Sequence, residues 1–149
     1  MNWRALSYIA LAGLLAGVHF CLTATARPLG TQPELLYTLR GGEGPAWSVA
    51  FSPRGHLLAG GSQDGTAKLW DTRTGRLRRA LLVHTDAMGS VAFNPEGSIL
   101  ATGSADGTVK LWSVASGRPL RSLPGVEGPL AFSPNGRLLA TSDGNSVQL

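Results

Sequence analysis

Gly103-Ser104-Ala105-Asp106-Gly107-Thr108-Val109-Lys110-Leu111-Trp112 reads as a strand end, a tight Asp-Gly turn and a second strand closing on tryptophan. The same pattern stands 42 residues earlier as Gly61-Ser62-Gln63-Asp64-Gly65-Thr66-Ala67-Lys68-Leu69-Trp70. A weaker echo, Ser142-Asp143-Gly144-Asn145-Ser146-Val147-Gln148-Leu149, follows. Repetition at this spacing identifies an architecture built from like units rather than a reaction.

Working outward, each turn is preceded by a second repeated motif: Val49-Ala50-Phe51-Ser52-Pro53, Val91-Ala92-Phe93-Asn94-Pro95 and Leu130-Ala131-Phe132-Ser133-Pro134. Each is a short apolar strand stopped by proline, and a glycine turn follows it, as in a hairpin. The next strands, Leu57 to Gly61, Ser98 to Gly103 and Leu138 to Thr141, are mostly small or aliphatic, the pattern of strands buried on both faces. Leu35 to Leu39, Leu77 to Leu82 and Pro119 to Leu123 supply outer strands, and Pro119 fits a strand start or edge. Four short antiparallel strands per unit of roughly 40 residues predict an all-β chain of propeller-type blades.

The Ser-x-Asp-Gly-Thr-x-Lys-Leu-Trp and Ala-Phe-x-Pro motifs make the chain resemble the WD-repeat (WD40) β-propeller family over residues 35–149, in units of about 35–76, 77–117 and 118–149. The resemblance implies a hydrogen-bonded tetrad of histidine, serine or threonine, turn aspartate and tryptophan within a blade. Carried over, the second unit matches throughout: His84, Thr102, Asp106 and Trp112. The first keeps Asp64 and Trp70 but has Gly42 and Gly60 at the other two positions. The third keeps Asp143, with Thr141 at the hydroxyl position and Val126 in place of histidine. His84 and Asp86 also read as a catalytic or metal-binding pair, but one histidine without a second ligand-type neighbour is weak support. The tetrad reading accounts for His84 better.

The resemblance further implies a rigid, non-catalytic platform for a protein or peptide partner, with no cofactor. Its contacts are expected at the loops before each first strand and at the Asp-Gly turns: Trp47, Gln63, Met88 and Ala105. For Trp47, burial between blades is expected ahead of exposure. The alternatives are a propeller enzyme and a polyanion or membrane-surface binder. Gly-x-Ser-x-Gly, His-Glu-x-x-His and a phosphate loop are all missing from the sequence, which weighs against the enzyme. Net charge is +4, and Arg73, Arg76, Arg78 and Arg79 cluster without interleaved aromatics, so they read as a solvated outer strand and nucleic acid is not expected.

Before the repeats, Met1 to Arg4 is a short positive start, and no acidic or basic side chain then appears until Arg27. With Leu6 to Val18 apolar and Ala24-Thr25-Ala26 small-x-small, residues 1–26 read as a secretory signal cleaved after Ala26, and 27–34 as a linker. An uncleaved membrane anchor over residues 5–26 is the competing reading, being long enough to span a bilayer. Cys21 is the single cysteine, so no disulfide is expected downstream, and bulky Phe20 before it argues against a lipidation site. The chain is therefore expected to be exported, periplasmic or secreted.

Propellers close with about 4–8 blades, and residues 27–149 make just under three units. The expectation is a truncated propeller, with a homodimer completing one ring from two copies as the alternative.

Overall fold

The computed structural model describes residues 22–24, 35–40, 44–125, 127–142 and 146–149. The described residues form strands, turns and loops, arranged chiefly as three antiparallel sheets of three or four strands. The expected signal core, the linker, Gly42, Val126 and Asp143 lie outside the described residues.

Two strands lead the fold: β1 (Leu22–Ala24) and β2 (Tyr37–Leu39), paired antiparallel with Leu22 opposite Leu39. The first four-stranded sheet takes β3 (Ala46–Phe51), β4 (Leu57–Ser62), β5 (Thr66–Asp71) and β6 (Leu77–Leu82) in chain order. The second takes β7 (Met88–Phe93), β8 (Ile99–Ser104), β9 (Thr108–Ser113) and β10 (Pro119–Pro124). A third holds β11 (Glu127–Phe132), β12 (Leu139–Ser142) and β13 (Val147–Gln148). Each four-stranded sheet takes its outer strand from the following sequence unit, so β6, which opens the unit 77–117, completes the sheet begun by β3.

The registers of the two full sheets superimpose. Leu58 faces Trp70 and Gly60 faces Lys68 in the first; Leu100 faces Trp112 and Thr102 faces Lys110 in the second. Strands β4 and β8 are buried almost throughout, as their composition predicts, because sheets cover both of their faces. The sheets stand side by side, with β3 against β7 and β7 against β11. Between the first two sheets lies the main core: Ala59, Ala67, Leu69, Leu81, Val83, Met88, Val91, Leu100 and Trp112. Each large aliphatic side chain buried there contributes about 1.5–3 kcal/mol, more than the hairpin contacts within either sheet.

Polar contacts fix the spacing of the sheets. Ser48 Oγ accepts the Val91 N–H at 3.1 Å, and Ser90 Oγ accepts the Leu130 N–H at 3.0 Å. On the outside, Arg79 donates to the carbonyls of Ser116 and Ala115, both at 3.0 Å. Tyr37, at the corresponding place in β2, donates to the Arg73 carbonyl at 2.7 Å. It joins Leu39, Leu58 and Trp70 in a second, smaller core.

Candidate functional site

Strands β8 and β9 and the turn between them bring three tetrad residues together, and the loop after β6 supplies the fourth. Asp106 follows Ser104 in a turn closed by the Gly107 N–H on the Ser104 carbonyl at 3.1 Å, with Gly107 at φ 78°. An L-residue there would be strained, which is why Asp-Gly recurs. Asp106 Oδ1 accepts the Thr108 N–H at 3.0 Å and the Thr108 hydroxyl at 2.6 Å, so the carboxylate is aimed before any tertiary contact forms.

The network then runs inward. Trp112 Nε1–H donates to Thr102 Oγ1 at 3.1 Å, and Thr102 Oγ1 lies 2.9 Å from His84 Nε2. His84 Nδ1 meets Asp106 Oδ2 at 2.9 Å, and that oxygen also accepts the Thr85 N–H at 3.2 Å. One proton arrangement satisfies every member: Trp112 donates to Thr102, Thr102 donates to a neutral imidazole, and its Nδ1–H donates to Asp106. Burial depresses the His84 imidazole below its ordinary 6.5 despite the neighbouring carboxylate. Burial acts to raise the Asp106 carboxyl, but the Thr108 hydroxyl, the His84 ring and the Thr85 N–H outweigh it and hold it at about 2.

The His84 side chain has no exposed surface, and both ring nitrogens are engaged. Asp86 takes no part with its side chain: its carboxylate accepts the Ala87 N–H, and its backbone carbonyl accepts the Ser104 hydroxyl at 3.0 Å. The arrangement orders a loop against a sheet and leaves no side-chain atom of His84 for a substrate.

In the first sheet Asp64 repeats the local turn, accepting the Thr66 N–H at 2.9 Å and hydroxyl at 2.6 Å. Gly60 lies where Thr102 lies in the second, and the Trp70 ring fills the space: a Cβ on Gly60 would come within 2.9 Å of Trp70 Cζ3. Absence of the hydroxyl here is a packing solution, with the indole laid over bare backbone. Trp70 is 4% exposed and belongs to the smaller core.

At the turn end of the sheets, near the inner strands, Trp47, Met88 and Ala105 line one shallow concavity of about 210 Å³ with Ala87, Ser104 and Gly128. Trp47 is 61% exposed, which corrects the expected burial between blades. Ala105 and Gln63 are exposed on equivalent turns, although Gln63 does not line the concavity. Met88 corrects the sequence expectation. It is fully buried, packed where Gly61 leaves room in the main core, and forms the floor rather than a surface contact. The inter-sheet serines were missed, although Ser48 and Ser90 share one place in the repeat, just before Val-Ala-Phe.

A family model described as "WD domain, G-beta repeat" matches residues 33–71 and 75–113, together just over half of the chain. The chain is similar to the serine-threonine kinase receptor-associated protein of Gallus gallus, 49% identical over 43 residues, or 29% of this chain and 12% of the relative. It is 38% identical over 56 residues to the COMPASS component SWD3 of Saccharomyces cerevisiae, covering 38% of this chain and 18% of that protein. Subunit I of eukaryotic translation initiation factor 3 from Neurospora crassa matches at 43% over 44 residues, 30% of this chain and 13% of the relative. The chain thus matches less than a fifth of the length of each of these relatives. Two matched repeats, the superimposable registers of their sheets and the bonded set His84, Thr102, Asp106 and Trp112 lead to one conclusion: the chain belongs to the WD40 repeat family.

Proposed function

We propose that this chain is a non-catalytic protein-interaction scaffold that offers the concavity around Trp47 to a protein or peptide partner. The observation that carries the reading is the pairing of a large exposed indole with a buried, closely packed floor. Met88 and Ser104 beneath it are buried, and the tetrad beside it holds the Ala105 turn in place. A rigid surface loses little entropy on binding, and exposed tryptophan is the residue type most enriched among interaction anchors. Family membership supports the same role, and one relative is by its name a component of a complex. His84, Thr102, Asp106 and Trp112 serve this reading as structural residues, with Asp64 and Trp70 as a partial set. Export through the N-terminal segment belongs to the proposal: the mature chain would start at Arg27 and so lack β1, and a recovered N-terminus at Met1 would remove that part.

The test is an affinity capture with the full chain and with Trp47→Ala. A partner held by the wild type should bind the variant about 30-fold more weakly, the usual cost of truncating an aromatic anchor, with an unchanged melting curve. Equal capture by both proteins would refute the Trp47 surface as the site.

A further inference from the structure

Antiparallel order places the β3–β4, β7–β8 and β11–β12 turns, with the β5–β6 and β9–β10 links, at the end of the sheets opposite Trp47. These turns form a continuous surface. The Thr72 N–H and hydroxyl bond the carbonyls of His56 and Gly55 at 3.1 and 2.6 Å, and the Val114 N–H bonds the Ser98 carbonyl at 2.9 Å. Gly97 lies against Pro53, and Gly136 against Pro95.

Arg54, Arg73, Arg76, Arg118 and Arg137 are all exposed on this end. Opposing them among the described residues are Glu96 and Asp71, and Asp71 is already bonded to Arg78 at 3.0 Å. Protection of an outer strand explains Arg78 and contributes to Arg79, whose guanidinium is taken up by the Ser116 and Ala115 carbonyls. It does not explain the other five, which sit on turns where no sheet edge needs protecting. All five are arginine, whose planar fork engages carboxylates two bonds at a time.

We infer that this basic end is a second docking surface, for an acidic protein segment with spaced carboxylates. Spacing decides between that ligand and a nucleic acid. The middle turn, between those bearing Arg54 and Arg137, carries exposed Glu96, and neutral Asn135 stands in the third. A duplex, with a charge every ~1.7 Å along its axis, would be driven onto Glu96, whereas separated carboxylates can bypass it. These turns carry no Phe, Tyr or Trp, and the His56 imidazole is the one ring they offer for a single-stranded base to stack on, too little for a stacking platform.

The experiment is fluorescence anisotropy of a labelled peptide of alternating glutamate and serine, titrated with the full chain at low and at moderate salt. A duplex DNA probe of matched length runs in parallel. The peptide should bind more tightly than the duplex and weaken with salt. The Arg73→Gln/Arg118→Gln/Arg137→Gln variant should bind it about tenfold more weakly, the sum of three modest exposed charge contacts. Single Arg118→Gln and Arg137→Gln proteins, each altered at an exposed turn, should lose about twofold and keep the wild-type melting curve. Equal or tighter binding of the duplex, or undiminished peptide binding by the triple variant and both single variants, would overturn the inference.

Discussion

Replacing Thr102 by valine keeps the shape of the side chain and removes one oxygen. That oxygen joins two halves of the tetrad, accepting from Trp112 Nε1 at 3.1 Å and lying 2.9 Å from His84 Nε2. Thr102 has no exposed surface and Trp112 is 7% exposed, so water cannot readily replace it. The variant leaves a buried indole N–H and a buried imidazole nitrogen without partners, each costing about 1–3 kcal/mol, so a total loss of about 2–6 kcal/mol is expected. At about 4 °C per kcal/mol for a domain of this size, the melting temperature should fall by about 8–24 °C. Thr102→Ser is the internal control, since it keeps the hydroxyl and loses a methyl group worth about 1 kcal/mol. Urea unfolding followed by tryptophan fluorescence measures both. If Thr102→Val is no less stable than Thr102→Ser, the hydroxyl is not what holds the second blade, and the energetic reading of the tetrad fails.

Acid should destabilise the fold in two steps of the same sign. The folded His84 pKa lies below the ordinary 6.5, so stability is full above 6.5 and declines below it, as the unfolded chain takes up the proton first. The Asp106 carboxyl, held at about 2 against an ordinary 3.8, adds a second loss as pH falls from 3.8 towards 2. Melting temperatures across this range should show the first decline in the wild type and a flatter one in His84→Gln; identical slopes would contradict the assignment. Gly60→Ala in the first blade should lose about 1–3 kcal/mol by overpacking, because its Cβ would come 2.9 Å from the Trp70 ring. A melting temperature at or above that of the wild type would show that the indole has room to move.

Much of the architecture was legible in local chemistry. The Asp-Gly turns, the proline-stopped strands and the small aliphatic strands β4 and β8 each depend on a few neighbouring residues, and the outer strand Leu77–Leu82 was found to the residue. The tetrad positions came from resemblance to the family, and the distances show that the four second-unit side chains meet. Long-range packing was not legible. Met88 occupies a contact position in the repeat yet fills the gap above Gly61, a residue of another sheet. Trp47 occupies the place that Gly89 and Gly128 hold in the other two inner strands, and only the neighbouring surfaces decide that it is exposed.

The arginines make the same division. By itself the sequence determined a repeat of four short strands and a positive net charge, because turn propensity, strand periodicity and charge are properties of neighbours along the chain. The tertiary structure alone decided which charges act together. Contiguous Arg78 and Arg79 are engaged by Asp71 and by the Ala115 and Ser116 carbonyls, while Arg54, Arg73, Arg118 and Arg137, far apart in sequence, share one end of the molecule. The reason is geometric: antiparallel strands return every second turn to the same end, so residues gather by strand direction and sheet packing rather than by their separation along the chain.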